Sequence, residues 1–513
     1  MISCRRIGLF LGIAFLGVFL LWPLSQLAGL SAAIWPVGLG RYYIYVVQLT
    51  VFQAVLSSIC AAILGLPGAL LFAEGGMAWR QFLAFLSVIP FSFPPLVLAL
   101  GLLGVWGRQG WVSGLMEYFT DSWSGIYGWS GVLLGHALLN FPIFVRLVGQ
   151  ALLERDTTDE KVALSLGVGR ALCLRHIVWP KLRASFWSAF GLVFFLCAGS
   201  FVLVLLLGGG PRFTTIEVAI YQALKYEANF ELARWFGLLQ LIAVGIGAAL
   251  WTRTVHPPAR LQRGAEGFTL MRSRRAWGGA YAVFLILFWG LPLCLLVVRG
   301  LKEVLGLVWL LPLLRSLVLA FGVGLIATVV ALGLARGVQN LPRSARALIV
   351  FIATLPLGIS SVLLLLGWRL AFPDWLRSDA AQWWGVVIVQ SLLAVPLALR
   401  PMLRSVERLE STWDRVAQSL GARAWQRWLW VEWPALRPSV FLAFLFSAGL
   451  SLGEAAAVLL FPSESTQNLT YAIYQSMARY RFDEAYADAL VLLMLSSALA
   501  WGLVRYERSR ARC

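Results

Sequence analysis

The chain has 513 residues, of which 60% are hydrophobic and only 13% are charged. Soluble domains carry about 25% charged residues, so the composition excludes an ordinary soluble protein and indicates a protein embedded in a lipid bilayer. Lys and Arg number 42 against 24 Asp and Glu, which gives a formal net charge of +18.

Apolar runs long enough to cross a bilayer, about 20 residues each, recur along the whole chain. They predict spans at 9–30, 42–72, 82–106, 130–153, 184–207 and 234–251, and again at 280–298, 311–335, 346–371, 383–403, 438–461 and 486–504. The first run resembles a signal peptide because Arg5 and Arg6 precede it. It is too long for a typical signal core and lacks a small-residue cleavage site, so we interpret it as a helix. The sequence predicts an all-α membrane protein with about twelve transmembrane helices.

Basic residues are concentrated at two places outside the spans. They are Arg253, Arg260, Arg263, Arg272, Arg274 and Arg275 between the two sets of spans, and Arg505, Arg508, Arg510 and Arg512 at the C-terminus. Basic residues favour the cytoplasmic side, so we expect both termini in the cytoplasm. Anionic lipid headgroups then account for the net charge, and we expect no nucleic-acid partner.

The two sets of spans are copies of one pattern. Pro142, Arg146, Ala163, Ser165, Leu166, Gly167, Trp179, Pro180 and Ser185 recur 254 positions later as Pro396, Arg400, Ala417, Ser419, Leu420, Gly421, Trp433, Pro434 and Ser439. Earlier helices repeat at an offset of 266, as Gly101 and Gly367 show. An even number of spans in each copy makes the repeats parallel, with a pathway expected at their interface. We divide the chain into a first half at 1–252, a basic cytoplasmic connector at 253–279 and a second half at 280–513.

A charged segment between hydrophobic spans is the most faithful part of the repeat. The first copy runs from Asp159 to Gly167, and nine residues later it continues as Ile177-Val-Trp-Pro180. Each copy begins as a helix, reaches a Gly suited to a helix C-terminus and resumes until a Pro before the next span. A polar segment conserved between the two halves predicts contact with a partner.

These segments resemble the cytoplasmic loop of the membrane subunits of binding-protein-dependent ABC importers. That loop has the pattern Glu-Ala-Ala, three residues, Gly, nine residues, Ile, one residue, Leu-Pro. The resemblance implies a type I ABC importer permease fold in a bacterial cytoplasmic membrane, with each loop forming a coupling helix in a groove of an ATPase subunit. The coupling residues it implies are Glu160, Lys161, Ala163, Gly167, Ile177 and Pro180, and Asp414, Arg415, Ala417, Gly421, Val431 and Pro434.

The match departs from the family pattern at one position in each copy. Lys161 and Arg415 stand where the family has Glu, and an acid stands one residue earlier, as Glu160 and Asp414. A shift of one residue turns a side chain by about 100° around a helix. It stays open whether these acids contact the ATPase.

Further segments resemble the permeases of thiamine and thiamine pyrophosphate importers. They are 103–111, 208–222 and 468–475, together with His136, Asn140, Pro142 and Arg146. The resemblance implies thiamine or its phosphates as substrate, while the related ferric-iron permeases, which share the fused two-half design, are the alternative. It also implies that a substrate-binding protein docks on the outer face, with Gly209, Pro211, Thr214, Tyr221, Gln222, Tyr474 and Gln475 as candidate contacts.

The chain lacks the phosphate loop of an ATPase, which needs Gly-Lys followed by Ser or Thr. Its four lysines are Lys161, Lys181, Lys225 and Lys302, and none follows a Gly. We therefore expect two copies of a separate ATPase, with ATP and Mg²⁺ bound there and no cofactor, metal or catalytic residue in this chain. A twelve-helix secondary transporter and a membrane-embedded enzyme are the alternatives from other classes.

Four polar residues within the spans are candidates for the substrate pathway. Glu454 aligns with Ser200 of the first half, and a carboxylate there would favour a cationic substrate. His136 and Asn140 lie one helical turn apart on one face. For all four, hydrogen bonding between helices is the alternative to substrate contact.

Overall fold

The computed structural model describes residues 2–28, 40–86, 93–119, 123, 125–254, 274–306, 308–408, 416–417, 419–461 and 463–511. Every regular element in these ranges is a helix, which confirms the all-α prediction. Within the described part, nine helices are long and apolar enough to cross a membrane. They are Arg6–Leu27, Gly40–Glu74, Trp129–Glu154, Ala171–Ala198, Trp277–Gly306, Leu310–Gly337, Asp379–Glu407, Trp425–Gly453 and Phe482–Gly502.

Several of the spans expected from hydropathy are interrupted helices. The run at 82–106 contains Met77–Leu86 and Pro95–Trp106, and the run at 346–371 contains Arg343–Thr354 and Ser361–Ala371. The fifth run of each half, at 184–207 and at 438–461, breaks in the same way. Their pieces are Trp179–Ala198 and Val202–Leu207 in the first half, and Trp433–Gly453 and Ala456–Leu460 in the second. Hydropathy averages over about 19 residues, so it does not resolve a break of two or three.

Shorter helices and turns complete the described chain. They are the helices Trp22–Ala28, Ser113–Phe119, Thr158–Ser165, Arg170–Cys173, Ile216–Lys225, Ala424–Arg427 and Leu469–Ala478. The helix Phe230–Thr254 is longer, at 25 residues, and covers the predicted span at 234–251. Two π-helical turns, Leu174–Val178 and Trp428–Glu432, occupy positions that the sequence repeat makes equivalent. The repeat is therefore present in the backbone as well as in the residue types.

The chain forms two compact units, each built from non-consecutive segments. Unit 1 comprises Met1–Trp35, Ile220–Leu238 and Gly300–Cys513, and unit 2 comprises Pro36–Ala219 and Leu239–Arg299. The first helix of the chain thus belongs to the unit that the second half mainly builds. The borders of these two units differ from the borders of the predicted halves. The predicted halves describe the sequence repeat, and that division of the chain stays a prediction.

In unit 1, the first helix packs on Leu310–Gly337 through glycines. A Cβ on Gly8 would lie 3.3 Å from the Cα of Gly333, and a Cβ on Gly333 would lie 2.6 Å from the carbonyl oxygen of Gly8. Small residues let the backbones of membrane helices approach closely. The two glycines are thus required by the packing of the first helix.

In unit 2, Gly40–Glu74 packs against Trp129–Glu154 over small residues. The cluster includes Ala54, Ala61 and Ala69 of one helix with Phe144 and Val148 of the other. Dispersion contacts of such close packing hold helices together in lipid, where burial from water contributes little. This packing fixes the two helices that precede the first charged segment.

Equivalent hydrogen bonds recur in the two units. The backbone N–H of Ile216 donates to Thr50 Oγ1 at 2.9 Å, and that of Leu469 donates to Ser316 Oγ at 2.9 Å. The two hydroxyls donate to carbonyls one turn earlier, at Val46 and Pro312. Each pair thus satisfies a free N–H at the start of a short helix, and all four positions follow the sequence repeat.

We expect Gly333→Ala to destabilise the protein, by about 1–3 kcal/mol, because the new methyl group overlaps the backbone of the first helix. Gly322→Ala on the same helix is the control, since its Cβ would meet Val387 at an ordinary 3.6 Å. The midpoint of thermal unfolding in detergent measures both. Equal midpoints for the two variants would contradict the close glycine contact.

Candidate functional site

The first charged segment forms the helix Thr158–Ser165 and ends in a left-handed glycine. Gly167 has a φ of +80°, which a residue with a side chain adopts at a cost of roughly 1–2 kcal/mol. The N–H of Val168 donates to the carbonyl of Ala163 at 3.0 Å. This six-to-one hydrogen bond is the Schellman motif that closes a helix C-terminus.

The second segment ends in the same motif. Gly421 has a φ of +77°, and the N–H of Ala422 donates to the carbonyl of Ala417 at 3.0 Å. The candidates Asp414 and Arg415 lie outside the described residues. The glycine that the sequence repeat singles out therefore has the same conformational role in both copies.

Each segment exposes an apolar pair at equivalent positions. Leu166 and Leu420 are 77% and 81% exposed, and Val162 and Val416 are also exposed. Exposed apolar groups on an otherwise polar segment indicate a contact surface for another protein. We call these four residues the apolar tips of the segments.

Glu160 lies on the opposite side of its helix from the exposed residues. Its side chain is fully buried, and Arg155 Nε donates to Glu160 Oε1 at 3.0 Å. Arg155 also lies 3.6 Å from Glu74 and donates to the carbonyl of Leu152. The shifted acid thus ties the segment to the end of the preceding membrane helices, while Lys161 is exposed.

The second segment is tied to its unit by a different ion pair. Arg336 Nη2 lies 2.5 Å from Glu432 Oε2, and the Arg336 guanidinium lies 4.1 Å from the ring centre of Trp428. Glu432 is buried and precedes the Trp-Pro pair at Trp433. At the position equivalent to Glu432 the first half has Val178, so this ion pair has no equivalent there.

The remaining segment candidates lie near the membrane ends of the segments. Pro180 and Pro434 are exposed in the first turns of Trp179–Ala198 and Trp433–Gly453, while Ile177 and Val431 are half-buried in the π-helical turns. Each proline follows a π-helical turn within the continuous helices Ala171–Ala198 and Trp425–Gly453, and proline and such turns are both common causes of irregularity in a helix. These residues shape the return of the chain into the membrane.

His136 and Asn140 form a buried polar cluster with the helix Gly40–Glu74. Gln53 Nε2 lies 2.6 Å from His136 Nδ1, and Ser57 Oγ lies 3.1 Å from it. Asn140 donates to the carbonyl of His136 and lies 3.6 Å from the thiol of Cys197. These contacts fit hydrogen bonding between helices, which is the alternative to substrate contact for these residues.

Ser200 and Glu454 both lie where a membrane helix breaks. The Glu454 carboxylate accepts hydrogen bonds from the N–H of Ala456 at 2.9 Å, from the N–H of Ala457 and from the hydroxyl of Ser361. It thereby caps the short helix Ala456–Leu460. The geometry gives Glu454 a structural use at this helix break.

The candidate contacts for a binding protein divide by exposure. Gly209 and Pro211 are exposed, and Gln222, Tyr474 and Gln475 are half-buried. Thr214 and Tyr221 are buried, and the hydroxyl of Tyr221 hydrogen-bonds to that of Tyr474. The repeated Ala-Ile-Tyr-Gln sequence places these two tyrosines at equivalent positions, and this contact between the copies was not predicted.

Sequence reasoning missed two further buried acids. Glu217 is fully buried and accepts a hydrogen bond from Gln240 Nε2, and Asp488 is 5% exposed within Phe482–Gly502. Glu217 lies in the predicted loop between 207 and 234, and Asp488 lies near the start of the predicted span at 486–504, so neither was singled out as a buried acid. Across the described residues, no group of three or more His, Cys, Asp or Glu is placed to hold a metal ion.

We expect Glu160→Ala to loosen the first segment, because it removes the carboxylate closest to a buried guanidinium and costs about 1–3 kcal/mol. Asp159→Ala is the control, since its ion pair with Lys181 is 65% exposed on the Asp side and contributes about 0–1 kcal/mol. Amide hydrogen exchange over 158–165 should accelerate at least about fivefold in the first variant only. Equal rates would show that the Arg155 pair does not hold the segment.

Known proteins resemble this chain over most of its length. Residues 65–260 match the family model described as the binding-protein-dependent transport system inner membrane component. The thiamine transport system permease protein ThiP of Brucella abortus (strain 2308) is 32% identical over 91% of this chain and 88% of its own length. The proteins of the same name from Escherichia coli (strain K12) and Haemophilus influenzae are 29% and 30% identical, over 88% and 87% of this chain and 87% and 86% of their own lengths.

Proposed function

Because the chain belongs to the family of binding-protein-dependent transport system permeases, we propose that it is the membrane subunit of an importer for thiamine or its phosphate esters. The relatives with this function in their names match both halves of the chain. They lend no support to the ferric-iron alternative. Family membership also favours an ATPase-driven permease over a secondary transporter or an enzyme.

The proposed mechanism rests mainly on the matched pair of charged segments. Each segment closes with the same glycine cap, at Gly167 and Gly421, and each exposes a leucine immediately before it. Two equivalent surfaces suit two copies of one ATPase subunit. ATP and Mg²⁺ would bind in those subunits, and both termini of this chain would lie on their side of the membrane.

Transport requires that movement of the segments reaches the membrane helices. Arg155 and Glu160 tie the first segment to its unit, and Arg336 and Glu432 tie the second. Buried ion pairs of this kind are costly to break, so closure of the ATPase subunits would move each segment together with its helices. The two halves would then expose the pathway alternately outward and inward.

A binding protein would deliver the substrate to the outer side. The exposed Gly209 and Pro211 follow the short helix Val202–Leu207 and belong to the loop that would face it. Selection among thiamine, its monophosphate and its pyrophosphate would begin with that protein. The permease would then carry the selected substrate across the membrane.

Uptake of radiolabelled thiamine into proteoliposomes tests the proposed function. The vesicles would hold this chain with its ATPase and binding protein, with and without internal ATP. We expect uptake that requires ATP and is competed by thiamine pyrophosphate but not by ferric iron. Uptake by the chain alone, or ATPase stimulation without thiamine uptake, would overturn the proposal.

We expect Leu166→Asp with Leu420→Asp to weaken ATPase binding by about 30-fold or more, because burying an interface anchor contributes at least about 2 kcal/mol. Ser165→Asp with Ser419→Asp is the matched control, since both serines are exposed and bond only to the preceding turn. Titration of the ATPase onto the permease in nanodiscs measures both. Equal affinities would refute the assigned contact surface.

A further inference from the structure

Unit 1 contains a cavity of about 240 Å³ that two basic side chains line. Lys225, at the end of Ile216–Lys225, and Arg369, in the last turn of Ser361–Ala371, share its wall with Leu224, Leu365, Leu460 and Phe461. Pockets for drug-sized ligands measure about 300–1,000 Å³. The cavity is therefore suited to a small group and not to an entire cofactor-sized molecule.

Lys225 keeps unused hydrogen-bonding capacity toward this space. Its ammonium donates to the carbonyl of Leu459 at 3.3 Å, which occupies one of its three donors. The residue is exposed as a whole, and partial burial of its ammonium lowers the pKa, as expected for a cation that loses part of its water without gaining an anion. Glu227 follows two residues later, and neither it nor any other described carboxylate lies within 4 Å of Lys225 Nζ.

Arg369 is in a similar position. Its guanidinium lies 5.3 Å from the ring centre of Phe230, a cation–π contact that uses the face of the group and leaves its N–H edge available. Within the described ranges it forms no ion pair. Two cations thus line one cavity from its exposed side, and in the part of the chain that the structure describes neither is paired with a carboxylate.

We propose that this cavity binds a phosphate group. A guanidinium matches two phosphate oxygens at once, and an ammonium adds a second positive charge. Under the predicted orientation the cavity opens on the outer side, so the phosphate is either that of a thiamine phosphate ester or that of an anionic lipid headgroup. The first source rests on the proposed function, while the second does not.

The four lysines of the chain allow a direct test. Purified full-length protein in maltoside micelles, which contain no phosphate, is treated briefly with an amine-acylating reagent, and modification of each lysine is measured by mass spectrometry. Lys302, which is exposed and outside the cavity, is the internal control. We expect pyrophosphate and thiamine pyrophosphate, but not thiamine, to slow modification of Lys225 at least about fivefold.

Arg369→Gln should raise the pyrophosphate concentration needed for protection about tenfold, the loss of one charge-assisted contact. Arg377→Gln is the matched control, because Arg377 is 81% exposed and pairs with Asp374. Arg369→Lys keeps the charge and should retain part of the protection, which separates loss of the site from misfolding. Unchanged modification of Lys302 verifies that each variant is folded alike.

The different probes distinguish the two sources of the phosphate group. Protection by thiamine pyrophosphate assigns the site to the substrate, and protection by phosphatidylglycerol alone assigns it to lipid. Protection by none of these probes would overturn the proposal. Modification of Lys225 requires no transport, so protection without thiamine uptake would discard the proposed function and leave the phosphate site standing.

Discussion

The need to satisfy every backbone N–H and C=O without water governs this fold. In the hydrocarbon core an unpaired polar group costs several kcal/mol, so the chain crosses as helices, and at several helix starts a side chain accepts the free N–H. Thr50 and Ser316 accept the first N–H groups of two short helices, and Glu454 does the same for Ala456. Much of the intramembrane polarity of the chain serves these breaks.

The same constraint explains which features the sequence could predict. The all-α class, the repeat and the special role of Gly167 and Gly421 follow from hydropathy and from residues at fixed offsets. Burial of Glu160 could not be predicted, because it depends on Arg155 beyond its own helix and on Glu74 from a distant one. The breaks before Ser361 and Ala456 were missed because each is capped by a single side chain, Ser360 or Glu454, within an apolar run.

The two charged segments combine a shared shape with different supports. Their caps and apolar tips are equivalent, as the proposed contact with two copies of one ATPase subunit would require. Their ion pairs differ, with Arg155–Glu160 in one and Arg336–Glu432 in the other. A surface that contacts identical partners must have the same shape in both halves. An internal ion pair only has to hold its own segment, so it can differ between the halves. This division accounts for why the glycine and the leucine recur while Glu432 does not, since Val178 stands at its position in the first half.

Photo-crosslinking from the apolar tips tests the central claim of matched ATPase contacts most directly. A benzophenone amino acid would replace Leu166 or Leu420 in separate proteins, with Leu305, equally apolar and 87% exposed, as the control position. The account predicts adducts with the ATPase subunit from both tips and none from position 305. Adducts from neither tip, or from only one, would contradict it.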